Sequence, residues 1–240
     1  MGSLTQRDVV AVLTRAPSAG GKSRLFAELG TPPDPALLAA LLLDTLDALD
    51  VSRLPSGAAG DHVTHVVAVE PASACDEVRA LVARDVLVIP QPDGTLGDRM
   101  GGVMRELLDG GARAVALIGS DLPTLKATQL TRAFALLNDD PQSVVIGPAD
   151  DGGYYLIAAR HVPDLFRNIE WGSRGVLEQT RAAAACCGTR LHLVDSIGDV
   201  DTVSDLITCV SDGRTDTAAG LARRTVEWAQ ARGIMRGNAR

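Results

Sequence analysis

Seven short apolar runs rich in β-branched residues recur along the chain: DVVAVLT, HVTHVVAVE, VLVIP, AVALIGS, SVVIGPA, GYYLIAA and LHLVD. Stretches with helical apolar spacing lie between them, over 35–49, 74–83, 96–108, 125–137 and 175–186, and two more, 203–210 and 218–231, close the chain. Such alternation restricts the chain to α/β units on one mixed, mostly parallel sheet held between helices. RLPSGAAGDH, from Arg53, reads as a surface loop. No break in composition divides the 240 residues, which predicts a single domain over 1–240, with a core of about 9–210 and a C-terminal helix of about 215–232. In open sheets of this kind ligands bind beyond the carboxyl ends of the strands. The informative residues should therefore stand just after the apolar runs.

Bulk properties narrow the partners. A net charge of −7 argues against nucleic acid, which selects basic surfaces. The longest apolar run, ALLAALLL at 36–43, is far short of a membrane span, and MGSLTQRDVV lacks the pattern of a secretory signal. These features predict a soluble protein of the cytoplasm with no membrane partner. Cys75, Cys186, Cys187 and Cys209 have no CxxC spacing and read as buried or incidental thiols.

Five places after strands carry candidate chemistry. The first, APSAGGKSRL, contains Ala16, Gly20, Gly21, Lys22 and Arg24. Gly21, Lys22 and Ser23 fit the end of a Walker loop, in which backbone N–H groups cradle phosphates, but Ala16 stands where that loop has its first Gly. The loop leaves a Walker site and another nucleotide site both open. The second is GSDLPTL, where Asp121 ends an apolar strand as a metal-binding acid would; it could equally cap the following helix. The third is IGDVDTVSDL. Asp199 and Asp201 alternate along an extended segment and can face one hard cation, although Asp201 or Thr202 could instead begin a helix with Asp205 near its start. The fourth is GPADDGGYYLI, a hairpin turn by composition. Its Gly152 and Gly153 would let a ligand approach the backbone beside Asp151, and Tyr154 and Tyr155 would offer hydroxyls on opposite faces. The fifth is QPDGTLGDRMGG, with Gln91, Gly94, Gly97 and Arg99; alone it reads as a turn and an exposed helix start.

Taken in order, RAPSAGGKSRL, QPDGTLGDRM, GSDLPTL, GPADDGGYYLI, WGSRGVL and DVDTVSDL resemble the nucleotide-diphospho-sugar transferase superfamily of GT-A-like fold. They are most similar to its small bacterial branch of glycosyltransferases, some linked to arsenosugar biosynthesis. The resemblance runs from about Val9 to Leu206. It implies a Rossmann-like three-layer sandwich, a nucleotide or nucleotide-sugar donor, a small-molecule acceptor, and Mg²⁺ or Mn²⁺. It assigns Lys22 and Arg24 to the nucleotide phosphates and Asp121, Asp199 and Asp201 to the metal. The DGGYYL block, with Gly152 and Gly153, goes to an acceptor or nucleotide pocket, as does Trp171 of WGSRGVL. The branch commonly has an acid where this chain has Thr95, and often a Gly where it has Ala158. A Walker protein gives no reason for DGGYYLI, WGSRGVL or DVDT, so the order of the motifs favours the transferase reading.

Attack at sugar C1 would expel a nucleoside diphosphate; attack at the α-phosphorus would expel pyrophosphate. Both need cations where negative charge gathers on the leaving group. The resemblance puts glycosyl transfer first. The basic loop and the DVDT acids point to nucleotidyl transfer, of the guanylyl- or cytidylyltransferase kind, as the alternative, with a P-loop NTPase or a nucleotide-binding regulator without turnover as the remoter one.

Overall fold

Each apolar run forms a strand of one sheet: β1 (Asp8–Arg15), β2 (Val63–Glu70), β3 (Leu87–Pro90), β4 (Ala114–Gly119), β5 (Val144–Pro148), β6 (Tyr154–Ala159) and β7 (Leu191–Leu193). The helices are α1 (Ser23–Leu29), α2 (Pro35–Ala48), α3 (Cys75–Leu81), α4 (Leu96–Asp109), α5 (Ala127–Asp139), α6 (Val176–Cys187), α7 (Val203–Thr215) and α8 (Arg223–Ala231). The computed structural model describes residues 4, 6–49, 63–215 and 221–234. The loop expected from Arg53 and the start of the helix expected from Ala218 lie outside the described residues.

The strand order is β3-β2-β1-β4-β6-β5-β7. β6 runs antiparallel to both β4 and β5, and every other pairing is parallel. The chain builds outward from β1 through β2 to β3, then returns to place β4 on the other side of β1. The sheet therefore reverses its winding between β1 and β4, and a crevice opens at their carboxyl ends.

Alternation along the strands sends side chains to two oily layers. Val9, Ala11, Val66, Ala68, Val115 and Leu117 pack with Met100, Val103, Met104 and Leu107 of α4. Val10, Val12, Val67, Val69, Ala116 and Ile118 pack with Leu42 of α2 and Leu130, Phe134 and Leu137 of α5. Both faces are covered, which is why these strands read as near-continuous apolar runs.

A third cluster lies outside the sandwich. It joins Leu25 and Phe26 of α1, Leu37 and Leu41 of α2, Leu206 and Val210 of α7, and Trp228 and Ala229 of α8. α2 therefore buries Leu42 toward the sheet and Leu37 and Leu41 toward the outer helices, so its run of leucines is apolar all round. Among the described residues, no helix is long and apolar enough to cross a membrane.

Of the two acids in α2, Asp44 is the buried one. The carboxylate of Asp44 is buried and accepts from the backbone N–H of Arg224 (3.1 Å) and Thr225 (2.8 Å), the Thr225 hydroxyl (2.8 Å) and the Arg224 guanidinium (3.1 Å). It caps the first turn of α8, whose N-cap, Ala222, makes no side-chain cap hydrogen bond. Asp44→Ala is expected to lower unfolding free energy by roughly 2–3 kcal/mol, because buried donors lose a charged acceptor. Urea titration reads this directly; an unshifted midpoint would show that the cap is dispensable.

All four cysteines are free thiols, as expected of buried or incidental ones. Cys209 is buried and Cys75 partly so, but Cys186 and Cys187 end α6 on its exposed side.

Candidate active site

The crevice between β1 and β4 gathers charge from three distant segments. The loop after β1 passes through Gly20 (φ 72°), Gly21 (φ 149°) and Lys22 (φ 48°) before α1 begins. Two glycines and one strained lysine let the chain turn sharply and aim the Lys22 side chain back over the sheet edge. The ammonium of Lys22 pairs with the carboxylate of Asp121 and lies 3.3 Å from Asp199 and 3.6 Å from Asp201. Arg24, on the first turn of α1, bonds Asp201 at 2.7 Å.

Local structure explains why the acids converge. Asp121 stands two residues beyond β4, and its carbonyl accepts from the N–H of Val200 at 3.1 Å, tying the two acidic segments together by backbone. Val200 is buried in the outer cluster, which leaves Asp199 and Asp201 on the opposite side, facing Lys22. The cap after them is filled by other groups. Thr202 accepts from the Asp205 N–H at 3.2 Å, and Asp205 accepts from the N–H of Asp201 (3.1 Å) and Thr202 (2.7 Å). The carboxylate of Asp201 is therefore free for Lys22 and Arg24. Nor is Asp121 a helix cap: α5 begins at Ala127, behind Lys126, and the Leu122 N–H is taken by the Thr45 hydroxyl at 3.0 Å.

The electrostatics follow from crowding. Burial works against the charge on Lys22, but Asp121, Asp199 and Asp201 outweigh it and hold the ammonium above its ordinary pKa. Asp199 is pushed up, first by burial and then by the charge of Asp121, with Lys22 offsetting part of this. Three carboxylates face two cations here, so the cluster keeps excess negative charge.

Two cavities of about 270 Å³ each meet at Asp121. One is lined by Thr14, Arg15, Gly20, Gly21, Lys22 and Ser120. The other lies across Asp121 and Asp199, walled by Leu96, Met100, Tyr154, Trp171 and Ser173, with Asp151 and Gly153 at the β5–β6 turn. That turn is the hairpin its composition implies: the Ala149 N–H donates to Gly153 at 3.1 Å, and Asp151 accepts from the Gly153 N–H at 2.9 Å. Gly152 (φ 94°) packs so tightly on the carbonyl of Arg174 that a Cβ has no room, and its own carbonyl accepts from the Leu177 N–H at 3.0 Å. The DGG turn and the WGSRG turn thus form one wall. Trp171 meets Tyr154 edge to face, with centroids 6.3 Å apart. Burial pushes the Tyr154 phenol up, partly offset by Thr180; on the opposite face the Tyr155 hydroxyl donates to the Asp195 carbonyl at 3.0 Å. A larger hollow of about 570 Å³, between Lys126, Asp195 and Asp212, shares no lining residue with these two.

Other expected site residues are spent elsewhere. Ala16 is buried in the core and its N–H donates to the Glu70 carbonyl at 2.8 Å. Gln91 is buried too, its amide donating to the carbonyls of Thr14 (3.0 Å) and Ala68 (2.8 Å), where it ties β1 to β2. Gly94 packs against Asp98, and Thr95 and Asp98 form a capping box at the start of α4. Arg99 pairs with Glu70. Gly97 abuts the Trp171 ring, so it shapes the second cavity from behind. The sequence pattern did not single out Ser173, Leu96 or Met100. Ser173 lay within the quoted WGSRGVL block, and Leu96 and Met100 are four apart on one helix face, a spacing that also fits plain core.

A divalent cation can be tested against this donor set. The three carboxylates are hard oxygen donors gathered within reach of one positive charge and partly open to solvent, which suits Mg²⁺ or Mn²⁺. They converge on an ammonium rather than on a void, and among the described residues no group of three or more His, Cys, Asp or Glu is arranged to hold an ion as it stands.

Comparison with known proteins adds four findings. A family profile described as "Uncharacterized protein conserved in bacteria (DUF2064)" matches residues 43–173. A 3-phospho-D-glycerate guanylyltransferase of Phenylobacterium zucineum (strain HLK1) is 31% identical over 150 residues, a stretch covering 62% of this chain and 66%, just under two thirds, of that protein. Among solved structures, a protein of Desulfovibrio desulfuricans G20 provisionally classed as a nucleotide-diphospho-sugar transferase superposes with a TM-score of 0.80 at 25% identity, covering 97% of this chain and 98% of that one. A CMP:2-keto-3-deoxy-manno-octonic acid synthetase complexed with CTP shares the fold at a TM-score of 0.53 and 15% identity, over 90% of this chain and all of its own.

Proposed function

We propose, from the premise that the chain belongs to the DUF2064 family of bacterial proteins, that it is a nucleotidyltransferase joining a nucleoside monophosphate to a small phosphorylated acid and releasing pyrophosphate. The observation that carries this reading is the convergence of Lys22 and Arg24 with Asp121, Asp199 and Asp201 between two small cavities. The guanylyltransferase relative supports nucleotidyl over glycosyl transfer, reversing the order that the motifs alone suggested, and favours GTP as donor and a phosphoglycerate-like acceptor.

In this reading the triphosphate enters from the cavity beside Gly20, Gly21 and Lys22, and the acceptor occupies the one beside Tyr154 and Trp171. A volume of about 270 Å³ has room for a few-carbon phosphorylated acid. An acceptor phosphate oxygen attacks the α-phosphorus as the bond to the β-phosphate oxygen breaks. Lys22 and Arg24 hold the departing pyrophosphate, Arg24 through paired donors and Lys22 as a point charge. Asp121, Asp199 and Asp201 would hold the divalent cation. That ion, when bound, adds positive charge at the phosphate oxygens where the transition state needs it. Trp171 and Tyr154 keep water from the acceptor side.

The test is an assay of pyrophosphate release from each nucleoside triphosphate with 3-phosphoglycerate and related phosphorylated acids, run beside nucleotide-sugar donors. Pyrophosphate from GTP supports the proposal; nucleoside diphosphate from a nucleotide sugar would replace it with glycosyl transfer.

The first loop gives a separate expectation. In a Walker loop, Ser23 would matter as much as Lys22. Ser23 is exposed and α1 is only seven residues long, whereas Arg24 bonds Asp201. Arg24→Ala is expected to weaken nucleotide binding ten-fold or more, about 1.4 kcal/mol, and Ser23→Ala to leave it nearly unchanged. Calorimetry with GTP and Mn²⁺ checks both; the reverse pattern would restore the Walker loop.

A further inference from the structure

We infer that Lys22 is an internal counter-ion that masks the cation site in the resting protein, so that a divalent ion binds well only when nucleotide phosphates draw Lys22 away. The inference rests on the nucleotidyltransferase reading and adds to it an order of events.

The geometry supplies each part. An ammonium has three donors, and here it meets three carboxylates: it pairs with Asp121, and lies 3.3 Å from Asp199 and 3.6 Å from Asp201. It occupies the point toward which these acids converge, and its side chain is 15% exposed. A divalent ion seeking the same oxygens must displace it or share them with it, at a cost in like-charge repulsion. Yet the lysine has somewhere to go. The cavity beside Asp121 is lined by Lys22 itself with Gly20, Gly21 and Ser120, and nothing lies within 4 Å of where a Gly21 side chain would begin. A triphosphate in that cavity would offer its oxygens to an ammonium carried on four rotatable bonds. Moving there, Lys22 neutralises the nucleotide and uncovers the carboxylates in one step. Arg24, at the rim and 68% exposed, stays on Asp201 or joins the phosphates without this effect.

The consequence is positive coupling. Nucleotide must strengthen the binding of the ion, and by linkage the ion must strengthen the binding of nucleotide by the same factor. Free cation alone would bind weakly despite three acids.

The experiment titrates Mn²⁺ into the full chain, reading unbound Mn²⁺ by electron paramagnetic resonance, with and without a non-hydrolysable GTP analogue whose own binding of Mn²⁺ is measured without protein and subtracted. For the wild type, nucleotide is expected to raise Mn²⁺ affinity ten-fold or more. Lys22→Met, which keeps the stem and removes the charge, is expected to bind Mn²⁺ alone at least ten-fold more tightly than wild type and to lose most of the increment from nucleotide. Lys22→Arg, which retains a charge, should keep the nucleotide-free affinity low. Equal Mn²⁺ affinity in wild type and Lys22→Met without nucleotide overturns the masking role. If Lys22→Met melts below assay temperature, the wild-type pair of titrations decides: an affinity indifferent to nucleotide overturns it. The two failures are separable. Pyrophosphate release from GTP with no change in Mn²⁺ affinity removes the mask and leaves the transferase. Absence of any nucleotide binding removes the transferase, while the nucleotide-free comparison still judges the mask.

Discussion

Asp121→Asn is expected to cut pyrophosphate-releasing turnover by about 10²–10³-fold, the scale on which a single electrostatic contact to a developing charge is lost. The melting temperature should hardly move. Asparagine keeps the shape, and the backbone link from Val200 to the residue 121 carbonyl persists. The substitution also removes the charge that helps push Asp199 upward, so Asp199 and Asp201 relax around Lys22 rather than losing their partner. Steady-state kinetics beside calorimetric melting separates the outcomes. A large fall in melting temperature with proportionate loss of activity would make Asp121 a structural acid.

Gly152→Ala should be the most damaging small change in the second cavity. The backbone there has φ 94°, which an alanine adopts only under strain, and the new methyl would run into the carbonyl of Arg174. Strain and overpacking together are expected to cost roughly 2–5 kcal/mol of stability. To fold at all, the two turns must part and break the bond from the Leu177 N–H, moving Asp151, Tyr154 and Trp171. A shift of that order typically costs about 10²-fold in rate. The loss should fall on kcat/KM for the acceptor, with nucleotide affinity kept because the first loop lies across Asp121. Equal losses in both affinities would show that the two cavities are not separate sites.

What could be read from the sequence divides along physical lines. Strands announce themselves because both sheet faces are buried: Val9 through Val12 are apolar without interruption, and every such run became a strand of the one sheet. The clustering of Asp199 and Asp201 was legible too, since alternation puts both on one side and Val200 on the other. The start of α5 was not. Asp121 and Pro123 imitate a cap, but the chain first turns through Leu122 and Leu125, both buried, before the helix begins. Gln91 shows why a local motif misleads. Its amide serves carbonyls 77 and 23 residues away, and nothing nearby in sequence reveals partners that only β1 and β2 bring to it. The same holds for Lys22, whose bond to Asp199 spans 177 residues. The order of the six blocks carried the fold; the choice between glycosyl and nucleotidyl chemistry was not legible, because both use the same charges on the same edge.

Val200 sits between two of the acids and packs in the same cluster as Leu25 and Phe26, which immediately follow Arg24. Water-insoluble contacts, rather than attraction between opposite charges, therefore set the spacing of the positive and negative halves of the centre. Salt screens charges but does not loosen oil, so raising ionic strength should weaken the hold on phosphates without pulling the two halves apart. The centre is in this sense framed by apolar packing: leucine, phenylalanine and valine place the charged groups, and the charges do not place one another.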